Sequence, residues 1–368
     1  MDTNSWIATF GAGHLLGDLT DKLISAGNRM FAHGTCPQVG VGGHLTIGGL
    51  GPASRMYGTA LDHVVEVQVV LANSSIVTAS SKQNTDVFWA LKGAGASFGV
   101  ITQFKVNTHP APGNAVEYSY TFSQRPFAKL AVQFKKWQAM ISDPALSRKF
   151  ASQVVLSEVG MIISGTYFGS REEFDFLNLT SVFPGASSKD VIVFKDWAGL
   201  LGHWGEDVAL QLGGAIPSSF YSKSLAFSPN DIIPSAGVDG FFQYLDKVDK
   251  GTLIWFGIFD LEGGATNDVP MNGTAYGHRD ALFYFQSYGV NIGSLSTKTR
   301  KFVQGMNDKL TSSLPNHALG AYAGYVDPAL PNAQQAYWTS NLPRLRQIKK
   351  AVDPTDIFQN PQSVPLPV

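Results

Sequence analysis

The sequence holds a single cysteine, Cys36, near the head of Gly34–Arg55, a stretch that carries seven glycines. A lone thiol in such a setting is either a small buried hydrophobe or a reactive site. Glycines let a backbone approach a ligand closely and turn N–H groups toward a negative group. Gly40, Gly42, Gly43, Gly48, Gly49 and Gly51 offer that here, and a second segment, Lys92–Thr102, adds Gly93, Gly95 and Gly99. The second segment nearly mimics a dinucleotide fingerprint, but a helix is expected before it and a strand after it. The fingerprint needs the reverse, so a nicotinamide site is rejected. Two glycine loops flanking a strand pair, one carrying the only thiol, point to a cofactor cradle. His33 and His44 bracket Cys36, and His63 follows. Zinc needs three or four ligands and no further cluster lies nearby, so no metal is expected. A Cys–His hydrolase pair needs a stabilised thiolate, and Gly-Thr-Cys-Pro offers no helix N-terminus to stabilise one, so it stands only as a minor option.

The elements that must position these loops can be read from periodicity. Apolar spacing predicts a helix over Leu16–Ala26, ended by Gly27. Val64–Leu71 alternates and is β-branched, with Ile76–Ala79 as its hairpin partner. Asn84–Leu91 reads as a short helix capped by Asn84, and Gly99–Val106 as a strand. Pro110–Gly113 is a break, where a domain boundary is placed. Beyond it come a helix near Phe127–Ile141, strands over Gln153–Tyr167 and Thr252–Leu261, and helices near Glu172–Leu177, Gly237–Lys247 and Thr297–Leu310. A last helix is expected over Ala333–Lys350, after a turn at Asp327-Pro328. The class is α+β: strands in an antiparallel sheet with helices gathered on one side.

Composition narrows the partners. The chain has 368 residues, 44% hydrophobic and 15% charged, with a formal net charge of -1. That suits a globular fold with a full core and leaves no electrostatic footprint for nucleic acid or an anionic membrane. No apolar run reaches the roughly 18 residues of a membrane span. No signal peptide is visible, yet sequons stand at Asn73, Asn178 and Asn272 and mildly favour secretion.

The segments HGTCPQVGVGGHLTIGGLGPASRMYGTALDHVVEVQVVLANSSIV, QNTDVFWALKGAGASFGVITQFKV, YAGYVDP and YWTSNLPRLRQIKKAVDPTDIFQNPQS closely resemble the FAD-linked oxidases of the vanillyl-alcohol-oxidase and berberine-bridge-enzyme type. Within them the chain is most similar to fungal gluco- and chito-oligosaccharide oxidases. The resemblance covers essentially the whole chain. It implies a PCMH-type FAD-binding domain over 1–112, an α+β substrate domain over 113–320, and a berberine-bridge-like segment over 321–368 that returns to the flavin domain. It implies that Cys36 is bonded to C6 of the flavin, with Thr35, the glycines and the Phe98–Thr102 segment, including Gly99, Val100 and Ile101, lining FAD. Family members begin with a further stretch that carries most of the pyrophosphate loop and a second tether, a histidine in an R-S-G-G-H-type motif. This sequence starts after it, and neither His33 nor His44 matches, so the expectation is a chain short of part of its flavin domain.

The same resemblance implies the chemistry. A sugar oxidase needs a base for the anomeric hydroxyl proton, and a tyrosine with a lowered pKa suits that task. Tyr322 is the expected base, with Tyr325 the second choice and a flavin neighbour, and Asp260 the acidic partner. The family carries Asn where this chain has Gly324. Gln153, Gln286, Tyr288 and Phe256 are the expected substrate contacts. Phe256 and Ile258 replace a Trp and a Gln, which weakens a standard glucose subsite, while Trp255 is expected in the core. The leading expectation is an FAD-dependent oxidase of an oligosaccharide C1 hydroxyl, using oxygen and giving hydrogen peroxide, as a secreted monomeric glycoprotein. A flavin oxidase of a secondary-metabolite alcohol, and an inactive remnant or sugar-binding module, stand beside it.

Overall fold

The computed structural model describes residues 1–206, 218–315 and 319–367. Thirteen strands are assigned among the described residues. In chain order they are β1 (Ile7–Gly11), β2 (Arg29–Met30), β3 (Val64–Val70), β4 (Ile76–Ser80), β5 (Val100–Asn107), β6 (His109–Pro110), β7 (Ala115–Phe122), β8 (Gln153–Ser157), β9 (Gly160–Tyr167), β10 (Ser188–Phe194), β11 (Ser219–Phe227), β12 (Ile254–Leu261) and β13 (Phe283–Asn291). They form an antiparallel four-stranded sheet in the order β1-β5-β3-β4, a pair β2-β6, and a seven-stranded sheet β10-β7-β9-β8-β12-β13-β11.

Period-two alternation gives the large sheet two unlike faces. On β12, Trp255, Phe259 and Leu261 are buried and Ile254, Phe256, Ile258 and Asp260 are more open. The buried face carries Val154, Leu156, Phe227, Phe283 and Phe285, covered by the helices Ala131–Ile141, Ser235–Lys247 and Thr297–Thr311. That burial is what holds these amphipathic helices in place. Trp255 sits in this core, 1% exposed. The other face looks toward the glycine loops.

A second core joins the four-stranded sheet to the C-terminal segment. Phe31, Val67, Val69, Phe98 and Phe104 pack with Tyr337, Trp338, Leu345, Ile348 and Val364. The Trp338 indole donates to the Gly93 carbonyl at 3.0 Å, and Lys349 Nζ to the Ser97 carbonyl at 2.9 Å.

Three local expectations are corrected. Asn84 precedes the helix Thr85–Ala94 with a left-handed φ of 49°, and its amide donates to the Thr78 carbonyl instead of capping. The expected helix over Ala333–Lys350 is two helices, Ala333–Trp338 and Leu342–Val352, parted at Thr339 (φ 47°), and Pro343 sits in the first turn of the second. The glycine stretch around Cys36 is not all loop. It contains the helix Val41–Ile47, whose Val41 and Leu45 are buried in the second core.

Candidate active site

The large sheet's open face assembles the site by register. Asp260 on β12 lies opposite Gln153 of β8 and Tyr284 of β13. Ile258 lies opposite Gln286, and Phe256 opposite Tyr288. Gln286 Nε2 donates to Asp260 Oδ2, and the Tyr288 hydroxyl donates to Gln286 Oε1 at 3.1 Å. Gln153 reaches Ser164 of β9 at 3.3 Å. Burial pushes the Asp260 carboxyl up to about 6, and the Gln286 hydrogen bond opposes the rise. Tyr288 is raised by burial, then by the negative fields of Asp260 and Cys36.

Segment 320–326 is laid over that face by β11. Ala226 N donates to the Gly320 carbonyl at 2.8 Å, Tyr322 N to Ser224 Oγ at 3.1 Å, and Ser222 Oγ to the Val326 carbonyl at 3.2 Å. The two tyrosines then diverge. The Tyr322 hydroxyl accepts from Gly49 N at 2.9 Å, and its ring packs with Tyr276 and Tyr284, whose hydroxyls are 2.7 Å apart. Tyr325, half-buried, stands in the fields of Asp260 and Tyr288. Burial raises both hydroxyls above the usual tyrosine range, against the lowered value expected for Tyr322. A Cβ at Gly324 would come within 2.5 Å of the Tyr322 ring, so the family's Asn does not fit this conformation.

The glycines divide into two kinds. A Cβ on Gly40 or Gly43 would enter open space, whereas one on Gly42 would meet Ala12 O at 3.0 Å and one on Gly99 would meet Val69 at 2.6 Å. Gly48 and Gly49 have φ of 142° and 80°, and a Cβ there would collide with Tyr322 and Ala60. Open backbone therefore lies at Gly40 and Gly43, beside half-buried Thr35 and Cys36, while close packing requires the others. The two glycine segments meet across Ala12, which donates to Thr102 O at 3.0 Å and abuts Gly42. Val100 is exposed, Ile101 half-buried and Phe98 fully buried. His44 Nε2 accepts from Gly34 N at 3.0 Å, and His63 Nε2 from Ala32 N at 3.3 Å. No group of three metal-binding side chains occurs among the described residues.

Arg55 and Arg279 fasten the glycine loops to the large sheet. Arg55 Nε donates to Phe150 O at 2.8 Å, and Arg279 forms a bidentate pair with Asp62 at 2.7 and 2.8 Å. One residue of this region escaped the sequence reading. Glu262, 3% exposed, follows Asp260 at i+2 on the same face. That spacing was the available signal.

An antiparallel sheet beside a glycine-lined, thiol-bearing loop is a layout compatible with a flavin-binding oxidoreductase, and the relatives show that class. Residues 1–80 match the family "FAD binding domain" and residues 321–365 match "Berberine and berberine like". The FAD-linked oxidoreductase sorD of Penicillium rubens is 42% identical over 99% of this chain and 78% of its own length. The xylooligosaccharide oxidase of Thermothelomyces thermophilus is 33% identical over 99% of this chain and 75% of its own. Among solved structures, a glucooligosaccharide oxidase of Acremonium strictum, described as revealing a novel flavinylation, superposes with a TM-score of 0.88 at 30% identity. It covers 100% of this chain, which spans 79% of that one. The chain belongs to the berberine-bridge-enzyme-like family of FAD-linked oxidoreductases.

Proposed function

We propose that the chain oxidises the C1 hydroxyl of an oligosaccharide to a lactone, with oxygen reduced to hydrogen peroxide. The observation that carries the reading is the hydrogen-bonded row of Asp260, Gln286 and Tyr288 on one open sheet face, over which the β11 serines hold the segment that carries Tyr322 and Tyr325. Relatives named as xylo-, gluco- and chito-oligosaccharide oxidases support it.

The residues fit FAD: open backbone at Gly40 and Gly43 beside a half-buried thiol makes a cradle with an anchor. Cys36 is the proposed covalent attachment, with Thr35 and the Val100–Ile101 strand start alongside. Bound FAD supplies the hydride acceptor. The chain's residues handle the proton. Tyr325 takes it from the substrate hydroxyl, and Asp260, ionised above about pH 6, draws it on. Tyr322, tied to Gly49, holds the loop in place and leaves the proton to Tyr325. Gln286, Tyr288 and Gln153 offer hydroxyl contacts, and Phe256 a ring face.

One observation favours a second reading. The β12 positions beyond Asp260 on this face are apolar, Ile258, Phe256 and Ile254, with Val155 and Val290 beside them, although Gln286 and Tyr288 stand in the same rows. Aliphatic walls leave sugar hydroxyls without partners, so a hydroxyl on an apolar skeleton suits them. Peroxide release separates the readings. Oligosaccharides giving faster release than aromatic alcohols supports the first, and the reverse order supports the second. A chain that holds no flavin and releases no peroxide is a remnant or binding module. Residues 1–112, 113–320 and 321–368 are the proposed domains. The exposed sequons Asn73, Asn178 and Asn272 support secretion as a glycoprotein, and the chain is proposed to act as a monomer.

A further inference from the structure

Glu262 has no role in the chemistry above, yet its setting is unusual. It is 3% exposed, and its Oε2 is buried without a hydrogen-bond partner. Its backbone continues the β12 pairing, donating to Leu282 O at 2.7 Å. Two positions along a strand separate its Cα from that of Asp260 by about 7 Å, on the same face.

The charged and titratable groups around it can be named from each element. β12 contributes Asp260 and β13 contributes Tyr284. The loop before β13 contributes Tyr276, with Arg279 stacked on that ring, and segment 320–326 contributes Tyr322 and Tyr325. The glycine-loop side contributes Arg55. Neither arginine forms an ion pair with the carboxyl among the described residues. Arg279 is committed to Asp62. Arg55 points its guanidinium at main-chain carbonyls, those of Phe150 at 2.8 Å, Leu146 at 3.4 Å, Ser147 at 3.5 Å and Glu262 itself. No ion pair to the Glu262 carboxyl occurs among the described residues. A buried carboxylate with an unpartnered oxygen, near a second carboxylate, is far less stable than the neutral acid.

We propose that Glu262 is a positioning residue that works as a neutral carboxylic acid: it stays protonated beside ionised Asp260 and keeps the pocket at one negative charge. Loss of its proton puts a second charge next to Asp260 and the tyrosines, and that step closes the site at alkaline pH. The direction of its titration agrees, since burial first and Asp260 second push it well above the usual carboxylate range, with Arg55 opposing. The inference rests on Asp260 as the acidic partner. A fully active Asp260→Asn would sink that reading, while the Glu262 carboxyl band would still report the protonation of Glu262 separately.

The test uses the whole chain. Difference infrared spectra of wild type against Glu262→Gln, without flavin at neutral pH, should show a protonated-carboxyl band lost in the variant. With flavin bound, the alkaline limb of kcat/KM should move up by about one pH unit or more in Glu262→Gln. If Glu262→Gln does not fold, Asp260→Asn serves: with the neighbouring charge removed, the Glu262 band should vanish at lower pH than in wild type. No protonated-carboxyl band at neutral pH, an unmoved alkaline limb, or a band whose titration ignores Asp260→Asn would each overturn the proposal.

Discussion

A substrate carbon that gives up a hydride needs its hydroxyl to give up a proton, and the proposed function assigns that proton to Tyr325, which stands in the field of Asp260. Tyr322 differs in accepting Gly49 N–H at its hydroxyl, which the proposal reads as an anchoring role. Tyr325→Phe should therefore slow flavin reduction by about a hundredfold or more with little change in substrate affinity. Tyr322→Phe should lose about 1 kcal/mol of stability and less of the rate. Stopped-flow reduction checks both, and a larger rate loss in Tyr322→Phe returns the base to that residue. Asp260 must be ionised to draw the proton on, so kcat/KM should rise with pH through about 6. Asp260→Asn should remove that limb. The sequence showed the residue types here but could not separate the tyrosines. Their difference comes from the β11 serines that orient segment 320–326, a contact between segments far apart in the chain.

Elements with a strong local pattern were legible. The β3–β4 hairpin and the helix Leu16–Ser25 lie where periodicity put them, and the alternation of β12 separated Trp255 from Asp260. The helix Val41–Ile47 was hidden because Gly42 and Gly43 oppose helix formation, and burial of Val41 and Leu45 overrides them. The break at Thr339 was hidden because it depends on a distant contact, the Thr339 hydroxyl donating to Gly277 O at 3.0 Å. The glycine loop also rests on neutral histidines. His44 and His63 accept backbone N–H groups, and burial pulls both down to about 3. The unfolded chain takes up these protons near pH 6.5, whereas the folded one does so only near 3. Their stabilising contribution is present above pH 6.5 and is lost as pH falls toward 3. His63→Gln keeps an acceptor and removes the proton site. It should flatten the pH dependence of unfolding in that window by about 1.4 kcal/mol per pH unit. Urea melts at several pH values check this, and an unchanged slope contradicts it.

At the scale of the molecule, the C-terminal segment contacts both the large sheet and the glycine-loop region. Tyr322 reaches the glycine loop, and Trp338 and Lys349 reach the helix region Thr85–Ser97. Arg55 and Arg279 link the loop to the large sheet. The proposed function puts flavin against the glycine loop with Cys36 as its anchor. The most direct measurement is to purify the chain with FAD, precipitate it with acid and read the visible absorbance of the pellet. The account predicts a yellow pellet from wild type, and from Cys36→Ser a white pellet under a yellow supernatant. A colourless wild-type preparation, or a Cys36→Ser pellet that stays yellow, would contradict it.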